Sequence, residues 1–348
     1  QNNHPGNYMT ETPPPLISVV ICTYNRADLL PGALDSLLQQ SLDQSLFEII
    51  VVDNNSTDST PDVVARYLSY PHIRYIHEAS QGLAHARNRG YKEASGRYVA
   101  YLDDDARADP EWLKSILNIF NNTVPEPLAV GGPIYPFYLS QKPEWFKDDY
   151  EIRSWGDKPR FLVPKESFSG SNMIFTKIIL EQSGGFNIHV GVNGATLSVG
   201  EETSLFLKLW ESYDGQDIFY YSPGIKIFHY APPEKMNTTY ALKRSFAWGQ
   251  SAMHVLGAEP FNRRKRLKLI CSEGMSVAYL TLNAIVKFPE YNYYQNWIFE
   301  CGAPIIGKIG IILDLLGLHI SVKQYILNKS TLLKPSCRGS VTPEEKDL

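Results

Sequence analysis

Over the first 120 residues, apolar positions fall in short unbroken runs, and helix-periodic stretches separate them. Residues 17–22, 47–52, 73–77 and 97–102 are each the length of a strand and rich in β-branched or aromatic side chains. Continuous apolar runs of this length suit strands buried on both faces. Between them, residues 27–40, 61–70, 83–94 and 110–120 carry apolar positions at helical spacing, as Leu30, Ala33, Leu34, Leu37 and Leu38 illustrate. This alternation predicts four strand–helix units and a parallel sheet covered by helices.

Beyond residue 120 the pattern changes. Residues 128–135 and 171–175 read as strands, separated by a stretch rich in proline and aromatics that includes Trp145, Phe146 and Trp155. Residues 201–210 read as a helix, and 218–221 and 225–230 as short strands around Pro223-Gly224. From residue 239 to about 333 the pattern is helical. Residues 1–15 hold four prolines and read as a disordered lead-in, and 336–348 as a tail.

The strand ends carry the chemistry. The first ends in Thr23-Tyr24-Asn25-Arg26, the second in Asp53, and the fourth in Asp103-Asp104-Asp105. Open α/β sheets bind ligands at the carboxyl ends of their strands. Three adjacent carboxylates repel unless a cation sits among them, and a hard divalent ion is the natural partner. An Asp ending the second strand resembles the ribose-binding acid of a dinucleotide enzyme. That fold, however, needs a Gly-rich turn after the first strand, and Thr-Tyr-Asn-Arg has no glycine. Walker, G-x-S-x-G and H-E-x-x-H patterns are also absent from the sequence.

Charge is unevenly spread. Residues 240–348 hold 14 Lys and Arg against 8 Asp and Glu, whereas the whole chain has a net charge of −4. A basic C-terminal third suits an anionic ligand or membrane surface. Nucleic acid is not expected, since no recognition motif occurs. The cluster Arg263-Arg264-Lys265-Arg266 precedes an apolar stretch to Phe288 that Glu273 interrupts; Lys308 and Asp314 interrupt a second. These predict helices packed on the catalytic part, or lying in a membrane interface beside a polybasic anchor. Four cysteines without metal-ligand spacing, and no signal-peptide pattern, predict a cytoplasmic setting, with peripheral contact at the inner membrane face as an option.

Four motifs in order resemble family 2 glycosyltransferases: Val19-Val-Ile-Cys-Thr-Tyr-Asn-Arg26, Ile50-Val-Val-Asp-Asn-Asn-Ser-Thr-Asp-Ser-Thr60, Gly82-Leu-Ala-His-Ala-Arg-Asn-Arg-Gly90 and Leu102-Asp-Asp-Asp105. Gly200-Glu-Glu-Thr203 resembles the later G-E-D motif, with Glu202 where Asp is usual. The segment from Tyr221 to Glu234 resembles the cyanobacterial hormogonium exopolysaccharide type. The resemblance covers about residues 16–230. It implies a GT-A fold: a Rossmann-like α/β nucleotide-sugar-binding part (16–125) fused to an acceptor-binding and catalytic part (126–238), followed here by the C-terminal helical region (239–335).

It further implies an inverting transfer from a nucleotide sugar, expected to be a UDP-sugar, with Mn²⁺ or Mg²⁺, to a saccharide or lipid-linked acceptor in polysaccharide biosynthesis. Thr23, Tyr24, Arg26 and Asp53 map to the nucleoside. Gly82 allows close backbone approach, and Arg87 maps beside the nucleotide. Asp105 is the first metal ligand and His229 completes the site. Asp103 contacts the metal, its water or the ribose, and Asp104 lies between. Glu202 is the candidate base and Glu201 the runner-up. Ser169-Gly-Ser-Asn172 maps beneath the donor sugar, and Trp145, Trp155 and Trp248 are candidate sugar-stacking or core residues. The rivals are a non-catalytic nucleotide-sugar-binding scaffold, which Glu at position 202 permits, and a nucleotidyltransferase, which normally needs a Gly-rich basic loop after the first strand.

Overall fold

The structure, a computed structural model, describes residues 14–189, 200–214, 216–255, 262–318 and 320. The expected lead-in up to residue 13, the expected helical continuation from 321 and the tail lie outside the described residues.

Strand β1 (Ile17–Thr23) leads to helix α1 (Leu30–Leu38), β2 (Phe47–Asp53) to α2 (Thr60–Ala65), and β3 (Ile73–His77) to α3 (Leu83–Glu93). Strand β4 (Tyr98–Tyr101) reaches α4 (Trp112–Asn122) through a short strand, β5 (Ala106–Ala108). The first four strands pair in parallel in the order β3-β2-β1-β4. Alternate residues face opposite cores, as strand geometry demands. Val19, Ile21, Ile49 and Val51 join Leu30, Leu34 and Ile116; Val20, Ile50 and Val52 join Ala86, Leu180 and Phe206.

The next part of the chain runs β6 (Ala129–Gly131), β7 (Ile134–Phe137), β8 (Arg160–Phe161), β9 (Met173–Thr176), α5 (Lys177–Ser183), α6 (Glu201–Ser212), β10 (Phe219–Tyr221) and β11 (Ile227–Tyr230). The stretch 128–135 is two strands in different sheets. A Cβ on Gly132 would lie 1.9 Å from the Ile225 carbonyl oxygen, so the glycine lets two backbones touch where the chain leaves the main sheet. The expected parallel pairing holds for β1 to β4, and beyond them the main sheet becomes mixed. Strand β9 runs antiparallel between β4 and β6, because the segment before it returns without a crossover helix. Eight strands result, in the order β3-β2-β1-β4-β9-β6-β10-β8, beside a three-stranded sheet β5-β11-β7.

The C-terminal region comprises α7 (Thr238–Val255), α8 (Arg263–Lys287), α9 (Tyr294–Trp297), a π-helical turn (Ile298–Gly302) and α10 (Ala303–Leu315). Helices α7 and α10 cross with backbones in contact, since a Cβ on Gly249 would meet the Gly307 carbonyl oxygen at 2.1 Å. The aromatic stretch anchors this region: Phe299 stacks on Tyr150 at 4.7 Å, and Asn296 Nδ2 donates to the Trp145 carbonyl at 2.7 Å. Trp145 itself packs on Phe146 and Phe299. Helix α8 leans on α10 but leaves Met275, Tyr279, Leu282, Ile285 and Val286 exposed. With its following turn it is long and apolar enough to cross a bilayer, although its Glu273 forms an ion pair with Lys308 of α10 at 2.8 Å.

Candidate functional site

The ends of β1, β2 and β4 share one sheet edge, and the loops there are knitted together. Asn25 takes a left-handed backbone (φ 54°), and its Oδ1 accepts from the Thr57 and Asp58 N–H groups. Ser56 Oγ accepts from the Asn25 N–H. Asp53 is buried; its Oδ1 accepts from Ser56 N–H at 2.9 Å and its Oδ2 from the Tyr75 hydroxyl at 2.7 Å. Each oxygen retains one lone pair for a further donor. Tyr24 is exposed in the loop after β1, and Thr23 is buried. Gly82 opens α3 with φ 138°, a conformation that favours glycine, and its N–H donates to Asn54 Oδ1 at 2.7 Å.

Asp103, Asp105 and His229 form a compact triad whose nearest ligand atoms all lie within 4.8 Å of one another. The small second sheet builds it: β11 pairs antiparallel with β5, setting His229 opposite Ala106, and Tyr230 N–H donates to the Asp105 carbonyl at 2.9 Å. His229 Nδ1 lies 3.0 Å from the Tyr230 carbonyl, which only accepts, so Nδ1 carries the proton. Nε2 then faces Asp105 at 3.2 Å and Asp103 at 3.5 Å. A lone pair aimed at two carboxylates is repulsive unless a proton or metal lies between. Burial disfavours the charged imidazole, but Asp105 and Asp103 outweigh it and hold its pKa above the ordinary value. The donor set of two carboxylates and one imidazole fits a divalent cation, and its nitrogen suits Mn²⁺ better than Mg²⁺.

Asp104 points elsewhere. Burial and the adjacent Asp105 charge push its carboxyl up to about 7, and Arg26, with Nε 3.9 Å away, offsets part of this.

Arg87 is buried at the centre of the site. Its guanidinium donates to Glu201 Oε1 at 2.9 Å and lies 3.8 Å from Glu202 and 3.9 Å from Asp103. One cation thus joins Asp103 to the acid pair that opens α6. Gly200 precedes that helix with φ 118°. Gly170 makes room for the arginine, since a Cβ there would lie 2.3 Å from its Nη2. Glu201 is buried, and burial and Glu202 push its carboxyl up to about 7 against the pull of Arg87. Glu202 keeps a quarter of its side-chain surface in solvent.

Not every sequence-predicted residue joins this cluster. The Asn172 amide is fully committed to Trp112 Nε1 and to the Pro133 and Ile225 carbonyls, which makes it a core strut. Trp155 Nε1 donates to the Ser167 carbonyl at 3.0 Å. Sequence reading missed Tyr75, which holds Asp53, and placed Asn54 and Gly170 inside motifs without a role of their own. It also missed a basic group, Arg153, Lys235 and Arg244, around buried Glu151. These residues are far apart in the chain and form no motif; only the fold joins them.

Residues 18–181 match the family model for glycosyl transferase family 2. The chain is similar to a glucosyl-dolichyl phosphate glucuronosyltransferase of Haloferax volcanii, 27% identical over 211 residues that cover 59% of this chain and 66% of the relative. It is also similar to a validoxylamine A glucosyltransferase of Streptomyces hygroscopicus subsp. jinggangensis, 37% identical over 155 residues, 42% of this chain and 37% of that one. The chain therefore spans just under two thirds of the first relative and little more than a third of the second. Among solved structures, the mannosyltransferase PcManGT from Pyrobaculum calidifontis, in complex with GDP-Man and Mn²⁺, shares the fold, with a TM-score of 0.56, 19% identity, and coverage of 86% of this chain and 88% of that one.

The triad yields a pH-dependent prediction. With folded pKa above the unfolded value, His229 contributes stability below its ordinary titration range and loses it as pH rises through the folded pKa. A metal must displace that proton, so Mn²⁺ should raise the melting temperature more at pH 8 than at pH 6. At a hundredfold excess over Kd the gain is about 2.7 kcal/mol. Thermal melts of the wild type and Asp105→Asn check this. An equal shift at both pH values, or an unchanged shift in the variant, would place the ion elsewhere.

Proposed function

We propose that this chain, which belongs to the family 2 glycosyltransferases, is an inverting, metal-dependent enzyme that moves a sugar from a UDP-sugar to a saccharide or lipid-linked acceptor in polysaccharide or glycoconjugate assembly. The observation that carries the reading is the Arg87 bridge, which sets a solvent-facing carboxylate, Glu202, beside a triad suited to a cation.

Each part of the edge then has a task. Residues 16–125 hold the nucleotide and 126–238 the acceptor. Asp53 accepts the base's imide N–H, Tyr24 stacks on the base, and Thr23, Arg26 and Asp104 line the nucleoside. The Gly82 backbone allows close approach. Asp105, His229 and Asp103 hold Mn²⁺ or Mg²⁺. The bound ion would supply positive charge to the departing diphosphate. Glu202 accepts the proton of the acceptor hydroxyl as the new bond to the anomeric carbon forms and the sugar–phosphate bond breaks. Glu201, tied to Arg87, fixes the helix end that presents Glu202. Inversion follows from a single displacement with the base opposite the leaving group.

A nucleotidyltransferase is disfavoured because the loop after β1 has neither glycine nor lysine and is tied down by Asn25. A scaffold is disfavoured because position 202 keeps its carboxylate next to the triad.

Glu202→Gln tests the base. It should bind UDP with Mn²⁺ as the wild type does and lose about 10²–10⁴-fold in transfer rate. Near-normal turnover would move the role to another acid. A titration with GDP beside UDP checks the nucleotide, and tighter GDP binding would overturn the uridine assignment.

We place the protein at the cytoplasmic face of a membrane, held there peripherally by α8. Its exposed apolar side chains follow directly on the basic cluster at 263–266. Each basic residue near an anionic surface contributes about 1 kcal/mol. Co-sedimentation with phosphatidylglycerol vesicles should weaken with salt and on neutralising that cluster. Absence of binding at low salt would favour packing against protein.

A further inference from the structure

Lys235 and Arg244, two of the basic residues that the sequence did not reveal, line a cavity of about 400 Å³ between the turn Pro233–Met236, α7 and α10. Lys235, Tyr240, Arg244, Trp248 and Lys308 form its walls. At its base lies Glu151, buried, with Arg244 Nη1 2.9 Å from one oxygen and Lys235 Nζ 3.3 Å from the other. Arg153 adds its charge to the same cluster. Lys308 is balanced by Glu273. Lys235 and Arg244 in the wall, with Arg153 beside them, therefore share one buried carboxylate, apart from the pulls of Asp105 on Lys235 and of Asp103 on Arg153. A surplus of like charge in a partly buried cavity is costly unless an anion completes it.

The cavity adjoins the reacting edge. The turn that carries Lys235 begins three residues after β11, and Lys235 is close enough to act electrostatically on Asp105 and His229. A flexible ammonium and a planar guanidinium converging on one point suit the tetrahedral oxygens of a phosphoryl group. Trp248 is exposed at the mouth and offers an apolar face.

We propose that this cavity is an anion subsite for the acceptor, receiving a phosphoryl group that the acceptor carries while its hydroxyl reaches Glu202. The proposal rests on the glycosyltransferase reading and names the chemistry of its second substrate. The phosphoryl group has two sources, a polyprenyl diphosphate carrier or a soluble sugar phosphate. The apolar face of α8, which leans on the α10 wall, suits the first.

The test is calorimetry with inorganic pyrophosphate on the full chain, in chelator and at low salt, where the acids of the triad repel anions. Arg244→Gln should weaken pyrophosphate about tenfold, and Glu151→Gln, which removes the counter-charge but keeps an amide, should tighten it several-fold. Tighter binding cannot come from misfolding, so the opposite signs keep the outcome decisive. Unchanged or weaker binding in Glu151→Gln, or wild-type affinity in Arg244→Gln, would overturn the subsite.

UDP affinity with Mn²⁺ should be unaffected in Arg244→Gln. If it falls in step with pyrophosphate, the cations serve the donor and the acceptor assignment is wrong. If wild-type UDP binding itself fails while the pyrophosphate pattern holds, the glycosyltransferase reading fails and the anion site stands. Displacement of pyrophosphate by phosphatidylcholine vesicles doped with polyprenyl diphosphate, but not by plain vesicles, supports the lipid source. Displacement by glucose 1-phosphate alone supports the soluble one, and displacement by neither contradicts the acceptor role.

Discussion

Five carboxylates gathered at one sheet edge are the constraint on which the rest of this site depends. Asp103, Asp104, Asp105, Glu201 and Glu202 come from two distant segments, and their mutual repulsion opposes the fold that unites them. The structure meets this with sparse positive charge. Arg87 serves both Glu201 and Asp103, Arg26 faces Asp104, and His229 stands between Asp103 and Asp105. Arg87 is the most committed of these, buried with its charge satisfied by acids on both sides. Removing one partner of such a pair leaves a buried charge unmatched, which typically costs about 3–5 kcal/mol. The remaining deficit lies at the triad, where the imidazole must take either a proton or a metal.

The supporting architecture explains why the acids stay put. The loops after β1 and β2 are tied to each other by Asn25 and Ser56, and Asn54 ties the second to the turn before α3. His229 is delivered by a separate small sheet, β5-β11-β7, whose strands pair just past the acids. Three close approaches depend on missing side chains: Gly132 at the exit from the main sheet, Gly170 beside Arg87 and Gly249 at the α7–α10 crossing. The candidate site thus rests on the ends of regular elements from both sheets and on the start of α6.

Much of this was legible in the sequence because its signals are local. Apolar runs gave β1 to β4, and the strand-terminal acids followed directly from them. Ile73–His77 needed no adjustment. Elements after residue 120 were harder to read. Two-residue and three-residue strands such as β8 and β5 carry no periodicity, and Gly131-Gly132 divides an apolar run between two sheets. Glu201 and Glu202 were visible as a pair, but their different burial was not, because Arg87 reaches them from 114 positions away. The Glu151 cluster had no linear signature, since Glu151, Lys235 and Arg244 meet only after α7 docks.

In the proposed function, Asp103, Asp105 and His229 hold a cation that meets the donor's diphosphate beside Glu202. Pulsed electron paramagnetic resonance of Mn²⁺ added to the protein reads both halves at once. A ¹⁴N coupling from His229 that vanishes in His229→Ala is expected, together with a ³¹P coupling that appears when UDP is added. Mn²⁺ bound without the nitrogen coupling, or UDP bound without phosphorus coupling to the ion, would contradict it.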